Sequence, residues 1–271
     1  MKKKNKHAKE QQIEKVNKHF VKTPKKPSYV FAIILILLGA GALIFGVNNG
    51  RSEIGDGSSV VGLVLVLVGF LIFISKWSTY KSLYKKAEPK YSDDEMDRLL
   101  KEGKEQVISN ARERLDIDIE DTRSALIIDG PENNTVMGYG EDKMLRFRYH
   151  NILVLFLTDH NIASYHCTLD LGCSEILQDK TKEFPYKDIT NLETETTNDV
   201  FYYSDKKKLN VEGIKKFSIH TSGGNASSVN YIFSDDATDK DGKKLPPSDI
   251  DKTMNAIRKK LKEYNDRPPL R

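Results

Sequence analysis

Two uncharged stretches near one end of the chain constrain its fold more than any other feature. They are "YVFAIILILLGAGALIFGV", residues 29–47, and "GSSVVGLVLVLVGFLIFIS", residues 57–75. A helix of that length rises about 28 Å, close to the roughly 30 Å hydrocarbon core of a membrane. Neither stretch has the polar stripe of a soluble core helix or the layout of a cleaved signal peptide. The sequence therefore predicts a membrane protein with a two-helix transmembrane hairpin over residues 29–76.

The distribution of lysine predicts how the hairpin is oriented. Residues 1–28 contain ten lysines and two glutamates, and five further lysines lie between residues 76 and 90. The connection at residues 48–57 carries only Arg51 beside Glu53 and Asp56. Lysine-rich loops stay on the cytoplasmic side of a membrane. We therefore expect both termini in the cytoplasm and the short connection on the other side.

Shifts in composition divide the chain into five segments. The lysine-rich cytoplasmic tail, residues 1–28, is expected either to rest on anionic headgroups or to be disordered. The hairpin follows, with glycines at positions 39, 41, 46, 62 and 69 that would let its helices approach closely. The other segments are a juxtamembrane region with an amphipathic helix at 77–121, a cytoplasmic domain at 122–266 and a tail at 267–271.

A capping box predicts the start of the amphipathic helix. Ser92 precedes Glu95 by three positions, and Asp93 and Asp94 suit the positive end of a helix dipole. Apolar residues then recur at helical spacing at Met96, Leu99, Leu100, Val107, Ala111 and Leu115. The sequence predicts a helix over residues 92–115 with one packing face.

Strand patterns replace the helical spacing from about residue 122. "SALIID" and "MLRFRYH" indicate strands, while "ILVLFLTD" and "IASYHCTL" predict a hairpin that turns at "DHN". Further strands are expected near "KEFPYKDITNLET", "VFYYS", "IKKFSIHT" and "VNYIFS". Ser248 would then cap a terminal helix with an apolar stripe at Ile250, Met254, Ile257, Leu261 and Tyr264. This is an α+β, mostly antiparallel β fold, a small barrel or bent sheet with a C-terminal helix.

Two of these segments resemble pleckstrin-homology-like (PH-like) and GRAM-like domains. A strand ending in Leu-Thr-Asp at residues 157–159 leads to a second strand and then to a pattern of Pro185, Tyr186, Ile189, Leu192 and Glu193. The likeness covers roughly residues 120–266 and departs from the family in polar insertions around 130–142 and 198–213. Because such domains are often joined to transmembrane helices in bacteria, the resemblance implies a bacterial cell membrane. It also implies a module that binds lipid headgroups, peptides or proteins rather than an enzyme.

Basic residues in "KMLRFR" form the candidate binding site. Lys143, Arg146 and Arg148 resemble the pattern with which some PH domains hold phosphorylated inositol headgroups, and alternation places the two arginines on one face of a strand. Lys206, Lys207 and Lys208 of "SDKKKLN" would assist them at an anionic lipid surface. The alternative interpretation is the solvated face of a sheet.

Other candidate sites are weaker. His160, His166, Cys167 and Cys173 lack the spacing of a zinc site, and cytosolic cysteines are not expected to form a disulfide. The glycosylation sequons at Asn133 and Asn225 are treated as chance. Catalytic and nucleotide-binding motifs are lacking, so we expect no enzyme, no metal, no cofactor and no nucleic-acid partner.

Two functions remain open from the sequence. The first is a membrane-tethered cytoplasmic PH-like module, a binding or scaffold domain for a protein partner or an anionic lipid surface. The alternative is an accessory subunit of a larger membrane complex, such as a transporter or secretion assembly, whose hairpin packs with other transmembrane helices.

Overall fold

The computed structural model describes residues 2–48, 53–118, 125–132, 135–202, 208–224, 227–233 and 250–266. The chain divides into two compact units. Residues 22–89 form one unit, and residues 1–21 together with 90–271 form the other. The segment that precedes the hairpin therefore belongs to the same unit as the segment that follows it.

The described residues form five α-helices and nine β-strands. The helices are α1 Lys2–His19, α2 Val30–Asn48, α3 Glu53–Ala87, α4 Asp93–Leu115 and α5 Ile250–Asn265. The strands are β1 Leu126–Pro131, β2 Met137–Tyr139, β3 Leu145–Phe147, β4 Tyr149–Leu157, β5 Asn161–Asp170, β6 Glu175–Pro185, β7 Ile189–Tyr202, β8 Lys208–Thr221 and β9 Ser227–Phe233.

Helices α2 and α3 pack against each other as the hairpin. Both are long and apolar enough to cross a membrane, judged by length and composition. A Cβ atom on Gly39 would lie 2.7 Å from the carbonyl oxygen of Gly62, so only glycine permits this approach. At Gly41, by contrast, a Cβ atom would have no neighbour within 4 Å. Gly41 therefore lies away from the contact with α3, and α3 itself continues well past the predicted end at residue 75 to Ala87.

The other unit contains two main antiparallel sheets. One has four strands in the order β1-β4-β5-β6, and the other has three in the order β7-β8-β9. Strands β2 and β3 form a separate two-stranded hairpin between β1 and β4. The described strands do not form a closed barrel, because β6 and β7 are joined through a 3-10 turn at Tyr186–Asp188 but are not hydrogen-bonded to each other.

The four-stranded sheet has a hydrophobic core on each face, which explains the continuous apolar run "ILVLFL". Ile152, Val154 and Phe156 pack in the core under α4, whereas Leu153 and Leu155 point into the opposite core. A strand that is buried on both faces needs apolar residues at successive positions. The second core is completed by β8 and by α5, where Ile257 is fully buried, Leu261 packs against it and the predicted cap Ser248 lies outside the described residues.

The predicted free tail is a helix of the sheet domain. Val16 is fully buried and Phe20 nearly so, in the same core as Met96 and Val107 of α4. The expectation that residues 1–28 are disordered is therefore wrong for α1, while contact with headgroups stays a prediction. Its apolar spacing contributes to a protein core, and burial of apolar surface is what orders it.

Two further expectations need correction. The segment "MLRFRYH" is not one strand, because β3 ends at Phe147 and β4 begins at Tyr149. The polar insertion expected at 198–213 largely continues β7 and β8 into a long hairpin. By contrast, the capping box is present: the backbone N–H of Glu95 donates to the hydroxyl of Ser92, and the Glu95 carboxylate accepts from the Ser92 backbone N–H.

Candidate functional site

Arg146 of the predicted basic site is held inside the domain. Only 8% of this residue is exposed. Its guanidinium donates two hydrogen bonds to Asp97 of α4 and two to Asp142, at 2.7 to 2.8 Å, and Asp93 lies 3.7 Å away. The bonds to Asp97 and then Asp142 raise the pKa of Arg146 above its ordinary value. The bonds from Arg146 likewise lower the pKa of Asp142 to about 2.

Arg148 forms a second internal ion pair. It donates to both carboxylate oxygens of Asp170 at 2.8 and 2.7 Å, and its Nη1 donates to Asn17 Oδ1 of α1 at 2.7 Å. Its guanidinium also lies 4.7 Å from the centroid of the Tyr149 ring. Burial opposes ionisation of Asp170, but the bonds from Arg148 and from the Gly172 backbone outweigh it and lower the pKa of Asp170.

Among the lysines of the predicted site, Lys143 is the one whose side chain the structure describes. Lys143 is exposed in the turn before β3, with a φ of +66°. Lys206 and Lys207 lie outside the described residues, and Lys208 begins β8. The two arginines bind different carboxylates: Arg146 joins the β2-β3 hairpin to α4, and Arg148 joins Asp170 of β5 to α1. Neither a shared phosphate cradle nor a solvated sheet face describes them, and their recognition of lipid stays a prediction.

A buried polar group links α4 to the four-stranded sheet. His150 Nδ1 lies 2.9 Å from Asp129 Oδ1, and its Nε2 lies 3.1 Å from the carbonyl oxygen of Phe147. Lys104 of α4 lies 2.8 Å from the other oxygen of Asp129. Burial raises the pKa of Asp129, but the charges and hydrogen bonds of His150 and Lys104 outweigh it and lower that pKa to about 2. The cluster of Asp129, His150 and Lys104 therefore anchors α4 to the sheet through bonds within the domain.

His166 and Cys167 lie on opposite faces of β5, as alternation predicts. His166 is hydrogen-bonded to Asn151 Oδ1, while Cys167 is buried in the core under α4. Burial, and after it the charge of Lys180, lowers the pKa of His166 to about 4. Burial raises the pKa of Cys167 to about 12. Both side chains are uncharged at neutral pH. The sequons at Asn133 and Asn225 lie outside the described residues.

The two segments that carry the PH-like resemblance touch each other. The hydroxyl of Tyr186 donates to the carbonyl oxygen of Thr158 at 2.9 Å, and the Tyr186 backbone N–H donates to the His160 carbonyl at 3.1 Å. The Thr158 hydroxyl in turn closes its own tight turn with Asn161. These contacts fix the corner at which the chain passes from β6 to β7.

Strand β6 is an open edge beside this corner. Among the described strands it pairs with β5 alone, and its side chains from Leu177 to Glu183 are mostly exposed. Edge strands present unpaired backbone N–H and C=O groups to solvent. Leu177, at 51% exposed, presents an apolar side chain to solvent on this edge. An extended chain can therefore add to the sheet here.

The charges along β6 favour an acidic ligand. Its three carboxylates have partners: Glu175 pairs with Lys9, Asp179 accepts two hydrogen bonds from Arg114 at 3.0 and 3.1 Å, and Glu183 accepts one from the Asn161 amide at 2.8 Å. Lys180 and Lys182 are exposed and stand two positions apart, hence on one side of the strand. Both also depress the pKa of His166, so their positive charge extends over that face.

A groove opens where this edge meets the second sheet. Its volume is about 530 Å³. One wall is fixed by the Ser222 backbone N–H, which donates to the Asp188 carbonyl at 2.8 Å. The groove is lined by Lys182, Glu183, Phe184, Pro185, Asp188, Thr221, Ser222 and Gly223. Together, the free edge of β6 and this groove form what we call the β6 corner.

The sequence interpretation missed the β6 corner. Its signal was the stretch "QDKTKE", which has no alternating apolar residue and so indicates a strand exposed on both faces. Protein-family models, curated proteins and solved structures give no match to this chain. Its function must therefore be inferred from the geometry described above.

Proposed function

We propose that the hairpin spans a bacterial cell membrane and holds a PH-like binding domain at the cytoplasmic face. The position of α1 carries this proposal, because a segment that precedes both spans packs in the core of the domain that follows them. Two spans return a chain to the side from which it started, so both flanks can meet there. The lysines that flank the hairpin favour the cytoplasm as that side.

The strand succession supports a PH-like domain. Four main strands of one antiparallel sheet are followed along the chain by three of another and then by α5, which packs on the core between them. The contact between Tyr186 and Thr158 gives both resembling segments a shared structural role. PH-like domains are binding modules, and we propose the same role for the sheet domain of this chain.

The ligand we propose is an extended, acidic segment of a protein partner that adds to the free edge of β6. Backbone hydrogen bonds along an edge supply affinity, and alternate side chains supply specificity. Lys180 and Lys182 would meet acidic side chains at alternate positions of the segment, and the groove beside Lys182 would receive the next residues. Anchoring to the membrane keeps the domain at high effective concentration near membrane partners, so weak binding suffices.

Selection from a random peptide library displayed on phage tests this role. The full chain in lipid nanodiscs is the bait, and we expect enriched peptides with acidic residues at alternate positions. The Lys180→Glu/Lys182→Glu variant should weaken the binding of such a peptide about tenfold, as for two exposed ion pairs. The matched control, Lys101→Glu/Lys262→Glu, reverses two exposed lysines on α4 and α5 and should leave binding unchanged. Peptides without the acidic pattern, or equal loss in both variants, would contradict the proposal.

The accessory-subunit function is a second candidate because of Gly41. This glycine lies in α2 with open space around it, so another transmembrane helix could approach there as closely as α3 does at Gly39. Native mass spectrometry of the chain purified in mild detergent separates the two functions. A stoichiometric membrane partner that is lost in Gly41→Leu would favour the subunit, and a lone chain would remove it.

A further inference from the structure

A second groove lies within the hairpin unit, at the end of its apolar stretch. The extended segment at residues 22–29 runs along the C-terminal part of α3 and is held at both ends. Lys76 Nζ donates to the carbonyl oxygen of Ser28 at 3.1 Å, and the hydroxyl of Thr23 donates to Glu88 at 3.1 Å. Between these bonds the segment and the helix leave a groove of about 270 Å³. It is lined by Pro24, Lys25, Pro27, Ser75, Lys76, Thr79, Tyr80 and Leu83.

The depth of this groove matches the headgroup layer of a bilayer. The headgroup layer adds about 5 to 7 Å on each side of the hydrocarbon core, and a helix rises about 1.5 Å per residue. If the apolar stretch ends at Ser75, the next four or five residues of α3 lie within that layer. Three of them, Lys76, Thr79 and Tyr80, line the groove. Trp77, 51% exposed, lies at the same level, where aromatic residues commonly anchor.

The charge of the groove selects an anion. Residues 22–29 and residues 76–88, the last turns of α3 with the residue that follows it, together contain seven lysines and one acidic residue, Glu88. Two of the lysines, Lys25 and Lys76, line the groove itself. The Lys76 ammonium uses one N–H for Ser28 and has two more to offer. Ser75, Thr79 and Tyr80 add hydroxyl groups that can donate to phosphate oxygens.

We infer that this groove binds the phosphate headgroup of an anionic phospholipid from the cytoplasmic leaflet. Lys25 and Lys76 contact the phosphate from the two walls of the groove, and the hydroxyl groups of Ser75, Thr79 and Tyr80 complete its hydrogen bonds. The inference rests on the proposed insertion of the hairpin in a membrane. It also moves lipid recognition from Arg146 and Arg148, which are engaged internally, to the base of the hairpin.

The one tryptophan of the chain, Trp77, reports on this site directly. The full chain is placed in phosphatidylcholine nanodiscs, and brominated lipid that quenches tryptophan is added as a minor component. We expect brominated phosphatidylglycerol to quench Trp77 at much lower content than brominated phosphatidylcholine. The Lys25→Gln/Lys76→Gln variant should shift the phosphatidylglycerol midpoint about thirty-fold, the equivalent of about 1 kcal/mol for each lysine.

Two variants distinguish a groove from general attraction. Lys85→Gln/Lys86→Gln removes the same charge about 14 Å from Lys76 along α3, nearly two Debye lengths away, and should shift the midpoint little. Lys25→Gln alone keeps the bond between Lys76 and Ser28, so its expected shift of about fivefold cannot come from a loosened segment. Equal shifts in the groove and control variants would overturn the inference.

Two further arms separate the possible sources of failure. Soluble glycerol phosphate, which has no acyl chain, should not displace the lipid; displacement would make this a site for free phosphate and overturn the lipid assignment. Nanodiscs made entirely of brominated phosphatidylcholine should quench Trp77 because the hairpin is embedded in the bilayer. If it does not quench, the proposed membrane insertion itself fails. Quenching by the bulk lipid without a preference for phosphatidylglycerol would overturn only the headgroup site.

Discussion

Nη1 of Arg148 donates a 2.7 Å hydrogen bond to Oδ1 of Asn17, across 131 positions of sequence that include both long apolar helices. A second link of this kind joins Gln12 of α1 to the Leu171 carbonyl oxygen at 3.2 Å and to the Ser174 hydroxyl at 2.8 Å. The sheet domain is thus assembled from the two flanks of the hairpin. A fragment that begins at residue 120 would lack both α1 and α4, so tests of stability require the full chain.

Val16→Ala tests the docking of α1. Val16 is fully buried, and removing its two methyl groups should cost about 2 kcal/mol with the cavity included. That corresponds to a fall of about 4 to 8 °C in the melting temperature of a domain of this size. Val21→Ala is the matched control, since Val21 is 38% exposed. Equal melting temperatures for both variants in detergent would mean that α1 does not contribute to the core.

Arg146→Met tests whether the predicted phosphate ligand is structural. The substitution leaves Asp97 and Asp142 facing each other without their shared cation. Because those carboxylates are partly exposed, solvent screens them, and we expect a loss of about 2 kcal/mol in the free energy of unfolding. Lys143→Met removes an exposed charge from the same turn and should change it by less than about 0.5 kcal/mol. A stable Arg146→Met chain would show that the guanidinium is free for another role.

The cluster of Asp129, His150 and Lys104 predicts acid sensitivity. The pKa of Asp129 falls from 3.8 to about 2 in the folded chain. The unfolded state therefore binds more protons in this window, and the stabilisation is complete above about pH 4 and lost as the pH falls toward 2. Chemical denaturation should show that the free energy of unfolding falls more between pH 5 and pH 2 for the native chain than for Asp129→Asn. The expected difference is about 2 kcal/mol. If the free energy of unfolding falls equally with pH in both chains, Asp129 is not a source of the acid sensitivity.

The hairpin offers a comparison between two glycines of one helix. Gly39→Ala places a Cβ atom against the Gly62 carbonyl oxygen, whereas Gly41→Ala meets no atom within 4 Å. We expect Gly39→Ala to separate α2 from α3 and to slow disulfide formation between cysteines introduced at Tyr29 and Phe73, whose rings lie 4.7 Å apart, and Gly41→Ala to leave that rate unchanged. If both variants crosslink at the native rate, the close approach of the two helices is wrong.

Local patterns predicted the elements better than their contacts. The uncharged runs, the capping box at Ser92 and Glu95 and the stripe around Ile257 each depend on neighbours along the chain, and the structure contains them. The role of α1 could not be predicted. Val16 and Phe20 indicate an apolar face, but the neighbouring sequence does not show which surface of the protein packs against it. The sequence predicted an exposed Arg146 for the same reason. Its partner Asp97 lies 49 positions earlier on α4, and only the tertiary fold brings the two together.

Labelling in intact bacteria tests most directly whether the hairpin spans the membrane with both flanks on the cytoplasmic side. Single cysteines replace Lys6 in α1, Ser52 in the connection and Lys101 in α4, and the parent chain with Cys167 and Cys173 gives the background. A membrane-impermeant maleimide should label the cysteine at position 52 alone, and positions 6 and 101 should react only after permeabilisation. Labelling of positions 6 and 101 in intact cells, or of one without the other, would contradict the arrangement.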